Sequence, residues 1–154
     1  MKLMALDVGE RRVGVAVSDT TGLLATPLAV VRRKSKAEDF DRIAQLVREQ
    51  GAEGLVIGHP LNADGSAGPQ ARRIERYAAA LSEALIADGL NLQMLLWDER
   101  MSTQRAQQLM IEAGRKATER RGRIDAVAAA VILQDYLDEQ RQLGKDGRPV
   151  SLPG

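Results

Sequence analysis

The chain has no cysteine and a single histidine, His59. Disulfides and thiolate metal sites are therefore excluded, and one imidazole cannot build a His-rich zinc centre. A serine–histidine pair has only one place to form. Aromatic residues are almost as scarce: Phe40, Tyr77, Trp97 and Tyr136 are the whole set. That leaves little with which to stack successive bases. Neither sign of charge dominates, with 22 Lys plus Arg against 21 Asp plus Glu. Any surface for a polyanion must come from local clustering. No apolar run reaches the length of a membrane span, the amino terminus lacks a signal-peptide pattern, and no P-loop is present. A soluble cytoplasmic protein is expected, with no membrane partner. At 154 residues the chain is long enough for one domain with a substantial core.

Near the amino terminus the chain reads MALDVGERRVGVAVSD. Asp7 lies inside otherwise strand-like apolar sequence. An unpaired buried carboxylate costs several kcal/mol, so it must be neutralised, paired or given a metal. Residues 2–8 and 12–19 read as two strands joined by a tight turn, with Val13, Val15 and Val17 on one face. Residues 23–33 read as a third, and Pro27 favours an edge position for it. Ser35 and Glu38 form a capping box ahead of a helix carrying Phe40, Ile43, Ala44 and Val47 on one face, ended by Gly51. Residues 54–58 form a short apolar run typical of a buried parallel strand. A loop follows, then a helix from about Pro69 with Ile74, Tyr77, Ala78, Leu81 and Leu85 inward. Residues 92–98 read as another buried strand. Ser102 caps a third helix, residues 115–122 form a polar loop, and a final helix runs from about 123 to 141.

The order β-β-β-α-β-α-β-α-α implies an antiparallel meander followed by right-handed parallel crossovers. The expected fold is α/β: a mixed five-stranded sheet with helices on both faces. The domain is expected to span residues 1–142, with a flexible tail at 143–154. In such sheets, sites lie beyond the carboxyl ends of the parallel strands. Asp7 closes the first strand, Asp98 and Glu99 close the last, and Asp125 opens the final helix. A carboxylate from each element could meet there, and an all-oxygen set suits Mg²⁺ or Mn²⁺. Each acid also has a structural reading. Asp7 can be a turn residue, Asp98 and Glu99 can face the positive end of the following helix, and Asp125 sits in a first turn where acids are favoured anyway. Asp19, ending the second strand, reads as structural.

Three blocks together resemble the YqgF/RuvX family, Holliday-junction-resolvase-like nucleases of the RNase H-like fold. They are LDVGERRVGVAVSD, VIGHPLNADGSAG and DERMSTQRA, the last followed by IDAVAAAVILQDYLD. The resemblance runs from Lys2 to about Leu137. It implies an RNase H-like fold and metal-dependent phosphodiester hydrolysis, with Asp7, Glu99 and Asp125 as catalytic acids and ligands of Mg²⁺ or Mn²⁺. It also implies a role in maturing the small-subunit ribosomal RNA precursor. The alternatives are a Holliday-junction DNA resolvase and a non-catalytic RNA-binding ribosome-assembly factor. Glu10 stands where the family often has Thr, and His59 replaces a common Leu. In many RNase H-like nucleases the second ligand comes from the strand equivalent to residues 54–58, which here ends in Gly58 and His59. Glu99 then takes that part, with Asp98 as its rival.

Substrate binding needs cations. Arg12 follows Asp7 closely and Arg100 follows Glu99. Arg115, Lys116, Arg120, Arg121 and Arg123 crowd the loop before Asp125, where they can grip a phosphate backbone or form a merely solvated loop. Asn62, in the loop after the fourth strand, is a further phosphate or sugar contact or else a structural turn residue. The expected nucleic-acid-binding set is Arg12, Asn62, Arg100, Lys116, Arg120 and Arg121. Structured RNA is the expected partner ahead of branched DNA, with ribosomal particles as a further one. His59 reads as a turn histidine or as a group that touches water or phosphate. Substrate choice between RNA and DNA, the cut position and the oligomeric state stay open at this level.

Overall fold

The computed structural model describes residues 1–99 and 124–145. Five strands form one sheet: β1 (Leu3–Val8), β2 (Arg12–Ser18), β3 (Ala25–Arg32), β4 (Gly54–His59) and β5 (Gln93–Asp98). Their spatial order is β3-β2-β1-β4-β5. The first three strands pair antiparallel, and β4 joins β1 and β5 in parallel. The mixed sheet is therefore the one expected, with β1 at its centre. Pro27 lies on the outer strand β3, opposite Ala16, beside a register shift at Val15/Ala16. Missing one N–H, it can be accommodated there without breaking an interior ladder.

Three helices are described: α1 (Lys36–Gln50), α2 (Pro69–Ala87) and α3 (Ile124–Lys145). The capping box forms at α1, where Ser35 Oγ accepts from the Glu38 N–H at 3.2 Å. Gly51 closes that helix in the left-handed region at φ 64°, a conformation that costs glycine little. α3 runs beyond the expected end into residues 143–145, carrying Gly144 within its last turn. The helix expected from Ser102, the basic loop at 115–122 and the rest of the expected tail lie outside the described residues.

Side-chain parity sorts the strands into two layers. Met4, Leu6, Val8, Val13, Val15, Leu55 and Ile57 face α1 and α2, where they meet Phe40, Ile43, Val47, Ile74, Leu81 and Leu85. Leu3, Ala5, Ala16 and Val56 face α3, against Ala129, Ala130, Leu133 and Tyr136. Each fully buried Leu or Ile contributes about 1.5–3 kcal/mol, so both layers hold the sheet between them. The inner faces of α1 and α2 are those read from the spacing. One expectation fails: β5 is partly buried rather than fully buried, because it ends the sheet and has only β4 beside it.

Gln134 locks α3 to the far edge. Its side chain is 1% exposed, accepts from the Ala25 N–H at 3.0 Å and donates to the Leu23 carbonyl at 3.0 Å. It satisfies backbone groups at the start of β3 from 109 residues away.

Candidate active site

Asp7 is an odd-numbered residue of β1, like Leu3 and Ala5, so its carboxylate faces α3. Its neighbour across β2 is Gly14. On the other side the pairing Leu6↔Ile57 carries Gly58 alongside it. Asp7 thus stands between two residues with no side chain, and each gap is filled by part of the site. A Cβ on Gly14 would overlap the backbone carbonyl of Asp125, so this glycine lets the start of α3 touch the sheet. A Cβ on Gly58 would overlap the Glu99 carboxylate and the Ile132 side chain, so this glycine lets Glu99 lean in from the neighbouring strand end.

The three acids come from the expected elements. Glu99 follows β5, and its N–H bonds the His59 carbonyl at 3.2 Å. Asp125 lies in the first turn of α3. Asp7 and Glu99 line one cleft of about 240 Å³, walled by Trp97, Ala128, Val131, Ile132 and Asp135. Burial, and then the charge of Asp125, push the Asp7 carboxyl above the usual range. Glu99 is raised by burial, then by Asp7, with His59 opposing and Asp98 adding to the rise. Asp7 therefore sits at the hub, coupled to the other two acids. Such mutual repulsion marks a place where negative charge is held against its own cost. Of the two rivals at the end of β5, Glu99 lines the cleft beside Asp7, whereas Asp98, still within the strand, pairs in register with His59.

Among the described residues, no group of three or more His, Cys, Asp or Glu side chains is gathered tightly enough to hold a metal. The Asp125 carboxylate is turned to a cationic side chain, with Arg12 Nε 3.1 Å from Oδ2. The donor set nonetheless fits a hard cation, being three carboxylates with no thiolate.

The expected substrate groups are less uniform. Arg12 is engaged with Asp125. Asn62 is occupied in its own loop: its amide donates to Ser66 Oγ at 3.0 Å, and its N–H and carbonyl bond Ser66 and Gly65. That is a structural turn. Arg100, Lys116, Arg120 and Arg121 lie outside the described residues. His59 is bonded through Nε2 to Glu75 Oε2 at 3.0 Å and so ties β4 to α2. Glu10 lines a cavity on the opposite face of the sheet instead of the acid cleft. Asp19 is structural, accepting from Thr21 Oγ1 and the N–H groups of Leu23 and Leu24, which hold its carboxyl below the usual range.

One residue escaped the sequence reading. Asp135 is 4% exposed, lines the acid cleft and accepts from Trp97 Nε1 at 2.9 Å. Trp97 also meets the edge of Tyr136, with ring centroids 5.2 Å apart. The available signal was an acid ten residues after Asp125, on the apolar stripe of one helix.

A family model named RuvX and described as "Holliday junction resolvase" matches residues 1–139. The chain belongs to the RuvX family. A RuvX relative from Thermoanaerobacter pseudethanolicus, named "Putative pre-16S rRNA nuclease", is 39% identical over 142 residues, covering 92% of this chain and 99% of the relative. One of the same name from Pelotomaculum thermopropionicum is 43% identical over 150 residues, covering 97% and 90%. Among solved structures, Thermus thermophilus RuvC bound to a Holliday junction superposes with TM-score 0.55 at 16% identity, over 92% of this chain and 96% of that one. The fowlpox virus Holliday junction resolvase gives 0.53 at 15% identity, over 90% and 99%. This RuvX chain thus shares the RNase H-like fold of those resolvases.

Proposed function

We propose that this RuvX protein is a metal-dependent endonuclease that hydrolyses phosphodiester bonds in the small-subunit ribosomal RNA precursor. The observation that carries the reading is the convergence of two further acids on Asp7 at the carboxyl end of the central strand: the Glu99 carboxylate lies over Gly58 and the backbone of Asp125 over Gly14, the two residues that flank Asp7. Relatives about 40% identical over nearly the whole chain bear the name of a nuclease for that RNA, which supports the choice of substrate.

Asp7, Glu99 and Asp125 would hold Mg²⁺ or Mn²⁺. When bound, the ion supplies Lewis acidity that activates water and stabilises the departing oxygen. The chain's own part is positional. Gly58 admits the Glu99 carboxylate, and Gly14 admits the backbone of Asp125. Arg12 holds Asp125 and must share or release it when that carboxylate turns to a cation. Ala128, Val131 and Ile132 give the cleft an apolar wall that limits competing water. No protein nucleophile is needed if water attacks phosphorus.

The test compares cleavage of precursor ribosomal RNA, a four-way DNA junction and plain duplexes, each with Mg²⁺, with Mn²⁺ and with chelator. Metal-dependent cutting of the RNA, lost in Asp7→Asn, is expected. Preference for the junction would move the substrate to DNA. Unchanged cutting by Asp7→Asn would remove Asp7 from the catalytic set, and no cutting of any substrate by the unsubstituted protein would leave a binding protein without catalysis.

A further inference from the structure

A second cavity opens on the other face of the sheet, just past the end of β1. Its volume is about 510 Å³, within the ~300–1,000 Å³ typical of small-molecule pockets. Val8, Gly9 and Glu10 form one wall, so it begins at the residue after Asp7 but faces α1 and α2. Four cations line it, Arg33, Lys36, Arg73 and Arg76, against one acid, Glu10. None of these cations was singled out as a substrate group from the sequence.

The lining of this cavity is mainly positive, although the buried Asp39 carboxylate on α1 also acts on the Tyr77 hydroxyl. Among the described residues, Lys36, Arg73 and Arg76 form no ion pair. The acid of the second turn of α2, Glu75, is engaged by His59. Both helices also begin here. Lys36 opens α1, and Gln70, Arg73 and Arg76 come from the first two turns of α2. The α2 start has no acid in its first turn and no side-chain cap on Gly68, so the positive end of its dipole is uncompensated.

An independent feature is Tyr77. It lines the cavity, is 5% exposed, and among the described residues its buried hydroxyl has no hydrogen-bond partner. An unpaired buried hydroxyl is unfavourable, and it is ready to donate to an arriving oxygen. Arg33 fixes the ring: its guanidinium lies 5.0 Å over the Tyr77 centroid while Nη1 donates to the Gly9 carbonyl at 2.7 Å.

We infer that this cavity is a second phosphate-binding site, in which Lys36, Arg73, Arg76 and the Tyr77 hydroxyl receive a nucleotide phosphate on the face of the sheet opposite the acids. The phosphate belongs either to the polynucleotide flanking the scissile bond or to a free nucleotide. The first source rests on the nuclease reading, and the second does not.

The test uses the full chain carrying Asp7→Asn, which on the nuclease reading is expected to bind without cutting. A labelled RNA oligonucleotide is titrated at several salt concentrations with and without Arg73→Gln/Arg76→Gln. Both arginines are exposed on a helix surface, and circular dichroism checks the fold. In parallel, adenosine monophosphate is titrated into both proteins by NMR, following the Tyr77 amide. Weaker RNA binding by about tenfold, with a log–log salt slope shallower by about 0.7–0.9 per phosphate lost, assigns the cavity to the polynucleotide. Saturable shifts at Tyr77 that vanish in the arginine variant, with RNA binding unchanged, assign it to a free nucleotide. Tyr77→Phe is expected to weaken whichever ligand binds. If neither RNA affinity nor nucleotide binding responds to the arginine pair, the inference is overturned. If Asp7→Asn binds no RNA at all, the assignment of RNA as substrate fails while the nucleotide titration still decides the cavity.

Discussion

A side chain can shape a site by being absent. Gly14 and Gly58 flank Asp7, yet they make different demands. At Gly58 the obstacle is the end of the Glu99 side chain and an Ile132 methyl, both able to swing aside. Gly58→Ala is therefore expected to fold while Glu99 is displaced, with cleavage down at least about tenfold and stability down by about 1–3 kcal/mol at most. At Gly14 the obstacle is the main chain of Asp125 and Ala126, which cannot rotate away. Gly14→Ala should lose as much activity and more stability, read together by cleavage rate and urea unfolding. Asp7 itself gives a prediction of opposite signs. Asp7→Asn should lower cleavage by roughly 10²–10³ yet raise the melting temperature in chelator. The Asp7 carboxyl is raised in the folded state, so ionisation there opposes folding. The folded state holds its proton longer than the unfolded chain, and stability falls as pH rises through that interval. Calorimetry should find the advantage of Asn largest at neutral pH and vanishing below the ordinary aspartate range.

At the scale of elements, α3 joins the architecture to the chemistry. Its first turn brings Asp125, its middle walls the acid cleft, and Gln134 pins it to the edge strand. Gln134→Ala strands the Ala25 N–H and the Leu23 carbonyl, and should cost about 1–3 kcal/mol in chemical denaturation. Much of this plan was legible from residue order. Pro27 pointed to an edge, Ser35 and Glu38 to a helix start, and the apolar spacing of α1 and α2 to their inner faces. The parity of Leu3, Ala5 and Asp7 is also written in the sequence, but which helix covers that face is not. Local patterning cannot report contacts between distant segments. The clearances at Gly14 and Gly58, the wall residue Asp135 and the convergence of Lys36 with Arg73 exist only once the sheet is assembled. Asn62 shows the converse: its motif suggested a ligand contact, while short-range bonds to Ser66 already occupy it.

For the whole molecule, both tyrosines report the integrity of the two layers. Tyr77 lies against α1 and the sheet on one face, Tyr136 against Trp97 on the other, and burial is the chief cause pushing each hydroxyl up to about 12. Alkaline difference spectroscopy should find no tyrosinate near pH 10 in the folded protein. Unfolded chain ionises near that value, so it releases protons first and stability declines from about pH 10 upward. An early tyrosinate signal from the native state would contradict the burial. The position of β1 has a last consequence. Asp7 hangs from the strand with two partners on each side, while Glu99 hangs from the end of the outermost one. Amide hydrogen exchange should therefore be slowest around Asp7, opening only with global unfolding, and much faster near Glu99 through local fraying. One acid would then serve as a fixed post and another as a hinged arm, so that changes on ligand capture register first at the rim of the sheet.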